Sequence, residues 1–371
     1  MLRRFTTPYF SDLIECTAAL GGMFNAHLHL DRVATLGATL RMLDENRRDA
    51  SHLSLSQKHA LIPLVHASEC YEPDLLEARV ERYVEAMAAI GTTRADTVVD
   101  VTADRVGTSA LDRLLTIRDR HASQIDFRVG AYSPLGFRDD EPQRWELFLE
   151  AAERADFIGC LPERDDRLTY PDHIGFDDHC RRLLTLSAEL DRQIHIHVDQ
   201  QNRADEDGTE RIIRLVREMA LDVPLADEPR IWLVHVISPS AYGTERFSRV
   251  VDELAALNIG VICCPSAALS MRQLSRLMAP THNSIARVLE MLAAGIHVRI
   301  GSDNVCDITS PAGTIDLMDE VFVLCNAVRY YDVDIMARIA SGQRLSSGER
   351  ERVRRHLERD REEEARALRG N

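Results

Sequence analysis

The sequence predicts an α/β protein, a (β/α)8 barrel formed as one domain by residues 1–371. Two observations predict this fold. Eight short apolar runs alternate along the chain with longer amphipathic stretches, and no Gly-rich phosphate loop follows any of the runs. Short runs rich in Val, Ile and Leu are typical of parallel strands that are buried on both faces. A doubly wound open sheet is the alternative, and the missing phosphate loop disfavours it.

The eight apolar runs are predicted as strands, and each is bounded by Gly, Pro, Asp or Asn. They lie at residues 22–30, 97–102, 126–132, 156–161, 193–198, 230–236, 259–264 and 297–301. The stretches between them repeat apolar residues at helical spacing. These predicted helices lie at residues 75–90, 111–120, 145–155, 177–190, 209–221, 246–257 and 285–294, with a further helical region at 315–339. Eight strands alternating with helices match the count of a (β/α)8 barrel.

Two segments fall outside this alternation. Residues 31–57 are polar and directly follow the first strand, where barrel loops build active sites, so we predict an active-site lid; an ordinary surface loop is the alternative. Residues 346–371 are dense in Arg and Glu, which predicts a charged helical tail that faces solvent or a partner.

Composition excludes several classes of protein. The chain has 45 basic and 60 acidic residues, a net charge of −15, which argues against binding nucleic acid or an anionic membrane. No apolar stretch approaches the ~20 residues of a membrane helix, and no long apolar segment of a secretory signal follows the first residues. The eight cysteines form no CxxC pair, which fits a reducing cytoplasm better than a disulfide framework. The composition is compatible with a homo-oligomer.

Residues that can bind a metal stand at the ends of several predicted strands. They are His27 and His29 on the first, His195 and His197 on the fifth, His235 on the sixth and Asp303 on the eighth. Residues i and i+2 of a strand share a face, so both members of a His-x-His pair can point into the barrel mouth. Histidines with a carboxylate suit Zn²⁺ or Fe²⁺, and a coordination position left for water makes such a site catalytic.

Five motifs extend this pattern. They are Asn-Ala-His-Leu-His-Leu-Asp at 25–31, Ile-Gly-Cys-Leu-Pro at 158–162, His-Val-Asp-Gln at 197–200, Val-His at 234–235 and Gly-Ser-Asp-Asn at 301–304. With them the chain resembles the amidohydrolase superfamily, and within it the cytosine deaminase branch, over residues 20–330. The resemblance implies that His27, His29, His197 and Asp303 hold one divalent metal, Zn²⁺ or Fe²⁺. It also implies that Asp303 accepts a proton from the attacking water and that His235 orients this water.

Gln200 departs from the family pattern, which has a glutamate there to shuttle protons. An amide cannot exchange a proton at a useful pKa, and loss of a general acid or base lowers rates by about 10²–10⁴-fold. Because every expected ligand is present, we favour a reaction that needs no such shuttle, with the proton transferred by Asp303. Asp199 is considered as a substitute carboxylate.

Other departures concern the substrate. The family has a glutamine in the loop after the third strand, but Pro134 and Leu135 cannot form an amide's paired hydrogen bonds, which argues against cytosine. Glu163 after the fourth strand is expected to face a polar or cationic substrate group, or else solvent. The candidate substrate-binding residues are Pro134, Leu135, Glu163, His195, Asp199 and Asn304. The chain ends leave no room for the small β-sandwich of most relatives in this branch.

These observations predict a metal-dependent hydrolase of a non-peptide C–N bond in a small nitrogenous compound, with Asp303, His235 and Gln200 as catalytic residues. The bond would belong to an amide, a cyclic amide or an amino-substituted heterocycle. The alternatives are a catalytically silent protein that binds a heterocycle and a deaminase with an atypical proton shuttle. Histidines outside the predicted strands, including His59 and His66, are expected to lie at the surface or to support the site.

Overall fold

Eight parallel strands form one sheet in chain order, and the predicted (β/α)8 barrel is confirmed. The structure, a computed structural model, describes residues 7–44, 52–221, 228–271 and 284–369. The strands are β1 (Met23–Leu28), β2 (Thr92–Asp100), β3 (Asp126–Tyr132), β4 (Phe157–Cys160), β5 (Ile194–Val198), β6 (Ile231–His235), β7 (Gly260–Cys263) and β8 (Val298–Ile300). Seven of the predicted strands coincide with these to within two residues at each end.

The first and last strands meet and close the barrel. Leu28 and Asp303 form a parallel bridge, in which the amide of His29 donates to the carbonyl of Asp303 (3.2 Å) and the amide of Asp303 donates to the carbonyl of His27 (2.9 Å). Gly301 allows this approach, since a Cβ atom there would lie 2.7 Å from the backbone N and O of His27. The closure therefore brings the histidines that end β1 beside the residues that follow β8.

Strand β2 begins five residues before its predicted start, because Arg94 and Asp96 interrupt the apolar pattern of the sequence. Asp96 is fully buried and accepts hydrogen bonds from the Nε (2.9 Å) and Nη2 (2.6 Å) of Arg128 on β3. A buried charge satisfied by an ion pair on the next strand cannot be recognised from apolar periodicity.

Helices cover the outside of the sheet. The seven helices predicted between strands are observed as Pro73–Ala89, Ser109–His121, Gln143–Arg154, Phe176–Glu189, Gly208–Glu218, Thr244–Ala256 and Val288–Ala294. The region 315–339 forms two helices, Leu317–Ala327 and Val333–Ala340. The break occurs where Arg329 has a left-handed backbone (φ +53°) and the Asp332 side chain caps the second helix by accepting from the amide of Ile335 (3.1 Å).

Short helices that the sequence did not predict surround the barrel. They are Pro8–Ala19, Leu36–Leu43, Leu55–Ala60, Ile62–Ala67 and Pro265–Ser270. Of the segment 31–57, residues 45–51 lie outside the described residues. Ser54 starts helix Leu55–Ala60 with a capping box, in which its Oγ accepts from the amide of Gln57 (3.3 Å) and its own amide donates to Oε1 of Gln57 (2.8 Å).

The charged C-terminal segment contains the helix Ser347–Arg369, and its last two residues, 370–371, lie outside the described part of the chain. Val353 is the buried residue of this helix, which packs along Val288–Ala294. Among the described residues, no helix combines the length and the apolar character needed to cross a membrane.

Candidate metal centre and active site

Three histidines and one aspartate converge at the carboxyl ends of the strands. His27 lies on β1 and His29 just after it, His197 lies on β5, and Asp303 follows β8. One ligand atom from each of the four lies within 4.8 Å of the others, and all four residues are buried. The Nε2 atoms of His27 and His197 are 2.9 Å apart, and Oδ1 of Asp303 lies 3.3 Å from Nε2 of His29 and 3.8 Å from Nε2 of His27.

These distances fit a metal ion. Ligand bonds of about 2.0–2.1 Å in tetrahedral geometry separate neighbouring ligand atoms by about 3.4 Å, in the middle of the observed separations. The ring of His197 has the required tautomer, because its Nδ1 lies 3.1 Å from the backbone carbonyl of Cys160. A carbonyl only accepts, so Nδ1 carries the proton and the lone pair of Nε2 faces the cluster.

The charge state of the cluster also suits a cation. Burial, reinforced by the neighbouring histidines, lowers the pKa of His27 and His197 well below the ordinary value, so both rings are neutral at neutral pH. Burial acts to raise the pKa of Asp303, but the hydrogen bond with His29 and the nearby His235 outweigh it and hold this pKa below its ordinary value. Neutral imidazoles and an ionised carboxylate are the forms that bind metals.

His235 ends β6 beside the cluster. Its ring centroid lies 5.5 Å from that of His197 and 6.3 Å from that of His27, and its buried Nδ1 has no hydrogen-bond partner among the described residues. Both His235 (φ +79°) and Asp303 (φ +59°) have left-handed backbones. Such strain in residues other than glycine is concentrated at functional sites, where it sets side-chain direction.

Gln200 and Glu163, which follow different strands, form a hydrogen-bonded pair. Nε2 of Gln200 donates to Oε2 of Glu163 (3.0 Å), and the amide of Asp199 donates to Oε1 of Glu163 (2.6 Å). Burial, with the carboxylates of Glu206 and Asp199, raises the pKa of Glu163 well above its ordinary value, while the two N–H donors act in the opposite direction. Sequence reasoning found both residues but could not pair them, since 37 positions separate them.

The carboxylate of Asp199 is turned away from the cluster. It accepts from the amides of Gly208 (2.9 Å) and Thr209 (3.0 Å) and from the hydroxyl of Thr209 (2.5 Å), at the start of helix Gly208–Glu218. Asp199 is 1% exposed, and these three donors occupy both of its carboxylate oxygens. In this structure the side chain therefore caps a helix.

The other candidate substrate-binding residues lie in different places. Asn304 lines the cavity above the cluster, and its Nδ2 donates to Oδ1 of Asp303 (2.9 Å). His195 lies deeper in the barrel, where its ring packs on Phe157 with centroids 4.4 Å apart, and it does not line this cavity. Leu135 lines a separate cavity beside β2 and β3, and Pro134 is buried next to it.

The cavity above the cluster is small and is covered by a helix from outside the barrel. Its volume is about 20 Å³, which is room for about one water molecule. Leu55 and His59 of helix Leu55–Ala60 form part of its wall, together with Met271. Burial, with the charges of Arg32 and Arg164, lowers the pKa of His59 to about 3. His59, expected at the surface or in a supporting role, thus belongs to the cavity wall.

Arg32 joins His29 to a network of charged residues. Nη2 of Arg32 lies 2.9 Å from both Nδ1 of His29 and Oδ1 of Asp100, and Oδ2 of Asp100 lies 3.0 Å from Nε2 of His66. Nδ1 of His66 lies 2.7 Å from Oδ2 of Asp104. Burial acts to lower the pKa of His66, but its hydrogen bonds to Asp100 and Asp104 raise it to about 9.

No family model matches the chain. An uncharacterized protein from Haemophilus influenzae (strain ATCC 51907 / DSM 11121 / KW20 / Rd) is 28% identical over 294 residues, which cover 78% of this chain and 96% of that protein.

Two solved structures are similar to this chain. A 5-methylcytosine deaminase from Klebsiella pneumoniae liganded with 5-fluorocytosine has a TM-score of 0.71 at 21% identity, covering 86% of this chain and 74% of that one. The N-isopropylammelide isopropylaminohydrolase of Burkholderia multivorans ATCC 17616 has a TM-score of 0.65 at 18% identity, covering 86% of this chain and 72% of that one. These likenesses confirm the (β/α)8 barrel fold that the sequence predicted.

Proposed function

We propose that this chain is a metal-dependent hydrolase that cleaves a non-peptide C–N bond in a small nitrogenous compound. The convergence of three histidines and one aspartate from β1, β5 and β8 carries this proposal, because their ligand atoms lie within 4.8 Å of one another. Support comes from the two similar folds, one named as a deaminase and the other as an aminohydrolase.

His27, His29, His197 and Asp303 would hold the metal, with Zn²⁺ as the first candidate and Fe²⁺ as the second. When bound, such an ion activates water as a nucleophile and polarises the carbonyl or imine that is attacked. The hydrogen bond between Nδ1 of His197 and the carbonyl of Cys160 orients one ligand. Nδ1 of His29 accepts from Nη2 of Arg32, so the neutral ring carries its proton on Nε2 beside Oδ1 of Asp303 and would change tautomer on binding the metal.

The protein's own groups would move the protons. For an amide, the oxygen of water bonds to the carbonyl carbon, the C–N bond breaks, and its electron pair stays on nitrogen. Asp303 takes one proton from the water and transfers it to that nitrogen, so the products are an amine and a carboxylic acid, which releases the second proton to solvent and becomes a carboxylate. Neutral His235 stabilises the oxyanion by donating a ring N–H. Asn304 holds Asp303 in place through the hydrogen bond to Oδ1.

A deaminase with an atypical proton shuttle is the second candidate. The contact between the Glu163 carboxyl and the Gln200 amide favours it, because it places a carboxyl group next to the position at which the family carries its glutamate. In that reaction water replaces an exocyclic amino group and ammonia leaves. Release of ammonia, measured in parallel with amide hydrolysis, separates the two candidates.

The experiment is to count metal in the gently purified protein and to assay small amides, cyclic amides and amino heterocycles. We expect one divalent ion per chain, and a loss of about 10²–10⁴-fold in rate for Asp303→Asn. Asp139→Asn is the matched control, because Asp139 is 69% exposed and forms an ion pair with Arg182 at the surface. A protein without stoichiometric metal, or a D303N variant as active as wild type, would refute the proposal.

A further inference from the structure

A cavity of about 460 Å³ lies at the end of the barrel opposite the candidate metal centre. Its wall includes Arg94 near the start of β2, Arg299 on β8, and Arg344 in the segment that follows helix Val333–Ala340. The strands are parallel, so the amino end of β2 lies away from the carboxyl ends that carry the metal ligands. Among the described residues, none lines both this cavity and the one above the metal ligands.

The cavity is positively charged, although the chain as a whole has a net charge of −15. Its described wall contains three arginines and one acidic residue, Glu228, which gives a net charge of +2. Nε of Arg94 lies 3.7 Å from Oδ1 of Asp96 and 3.6 Å from Oδ2 of Asp126, too far for hydrogen bonds. Asp96 already accepts two hydrogen bonds from Arg128. Positive charge is therefore in excess in the wall of this cavity.

The guanidinium group of Arg299 is fixed in place but has one unpaired nitrogen. Its Cζ lies 4.1 Å from the ring centroid of Trp232 and 4.8 Å from that of Phe24. Its Nη2 donates to both carboxyl oxygens of Glu228 (2.5 and 2.6 Å), and its Nε donates to the carbonyl of Gly342 (3.4 Å). Arg299 is 1% exposed, and Nη1 has no hydrogen-bond partner among the described residues. A buried charged donor without an acceptor is unfavourable, so a ligand that supplies the acceptor is favoured.

Arg94 places a second positive charge against the same aromatic ring. Its Cζ lies 4.1 Å from the ring centroid of Phe24, which Arg299 also contacts. Burial and the charge of Arg94 lower the pKa of Arg299 to about 10, although Glu228 acts to raise it. Both guanidinium groups are charged at neutral pH, and an anion in the cavity would offset the repulsion between them.

His297 adds an acceptor to the wall. Its Nε2 lies 2.9 Å from the carbonyl oxygen of Gly342, and because a carbonyl only accepts, Nε2 carries the proton. Burial, with the charge of Arg299, lowers the pKa of His297 to about 3, so the ring is neutral. Its buried Nδ1 keeps a lone pair and has no hydrogen-bond partner among the described residues. His297 directly precedes β8 and is two residues from Arg299, so the two side chains share a face of the sheet.

We propose that this cavity is a second ligand site, which binds a small molecule that carries a phosphate ester and a hydroxyl group. A phosphate ester has a charge of about −1.5 to −2 at neutral pH and three acceptor oxygens, which suit several guanidinium groups. The hydroxyl group would donate to Nδ1 of His297. Free phosphate would fill only a small part of the cavity, whose volume is in the range of sites for small organic ligands.

Calorimetry near neutral pH and at low salt tests the proposal with glucose 6-phosphate, which has both groups. We expect one binding site per chain for this probe, competition by inorganic phosphate, and weaker binding as NaCl is added. Glucose, which has no charge, should not bind. Succinate carries two charges but spreads them over two groups and has no hydroxyl, so it should bind about tenfold more weakly.

Arg299→Gln and Arg94→Gln test the position of the site, because each removes a guanidinium group from the wall. R299Q should weaken the binding of glucose 6-phosphate by about 10- to 100-fold, the equivalent of one charge-assisted hydrogen bond. R94Q should weaken it by about tenfold, and it keeps the test decisive if R299Q fails to fold, because the Arg94 side chain is 26% exposed. Arg249→Gln is the matched control, since Arg249 is 65% exposed and does not line the cavity.

Absence of glucose 6-phosphate binding, or equal weakening in R94Q and R249Q, would overturn the site. Tighter binding of succinate than of glucose 6-phosphate would overturn the assignment to a phosphate ester. D303N should bind glucose 6-phosphate as wild type does, because Asp303 lies at the other end of the barrel. Loss of binding in D303N with full binding in R94Q would place the phosphate at the metal centre and overturn the second site.

Discussion

Replacing Gln200 with glutamate places a second carboxyl group against Glu163. The two side chains are 3.0 Å apart at their nearest polar atoms. Two unit charges at this distance repel by about 5 kcal/mol at an effective dielectric constant of about 20. The pair therefore keeps the proton of Glu163, whose pKa burial already raises in wild type, and the added carboxylate raises this pKa further. An acid whose pKa is raised by folding stabilises the folded state less as the pH rises above its unfolded pKa of about 4.3.

For Q200E we expect the free energy of unfolding to fall relative to wild type as the pH increases. The difference is small at pH 5.5, where both proteins keep the proton of Glu163, and grows toward the Coulomb limit of about 5 kcal/mol at pH 8.5 as the pH exceeds the raised pKa of Glu163 in wild type. Urea unfolding at both pH values measures this difference. The charge-swapped double variant E163Q/Q200E has one carboxyl group and should recover most of the loss at pH 8.5. A difference in the free energy of unfolding that does not depend on pH, or no recovery in the double variant, would refute the contact between Glu163 and Gln200.

Three further predictions concern the metal and its surroundings. His197→Ala should lose the bound metal, and it should also lose the stabilisation of about 2.7 kcal/mol that a metal at 100 times its Kd gives wild type in thermal or urea unfolding. His235→Asn should retain one metal per chain but lower kcat by about 10²–10³-fold, so loss of metal in this variant would contradict its assigned place outside the ligand set. His66, with its pKa raised to about 9 by Asp100 and Asp104, stabilises the fold fully below about pH 6.5 and loses this effect as the pH rises toward 9. His66→Gln should thus cost about 3 kcal/mol at pH 6 and much less at pH 9.5, and an equal loss at both pH values would contradict the network.

Much of the fold was predictable because parallel strands buried on both faces have a strong apolar signature. The exception, β2, carries Arg94 and Asp96 within the strand, and the partner that satisfies Asp96 is Arg128 on another strand. The single helical region at 315–339 divides because of a cap at Asp332. Periodicity records which residues are apolar, but it does not record the partners that make a buried charge or a cap favourable.

The candidate site was predictable where residue type and strand position carry the information, as for the His-x-His pair on β1. The pairing of Glu163 with Gln200 was not, because it depends on how the ends of β4 and β5 are placed side by side. The place of His59 was missed because it comes from a helix outside the alternating pattern. Asp199 has a carboxylate that could carry a proton, but this side chain accepts hydrogen bonds from Thr209. The residue type alone therefore does not show which way the side chain points.

The contact between β1 and β8 has a consequence for how the chain folds during its synthesis. The hydrogen bonds that join His27 and His29 to Asp303 link positions more than 270 residues apart, so a nascent chain still lacking β8 has two unpaired strand edges and an incomplete ligand set. Contacts between such distant positions form late, after most of the chain-closure entropy has been lost. The cluster of metal ligands is thus completed last, and an ion bound there would link the first and last strands of the barrel.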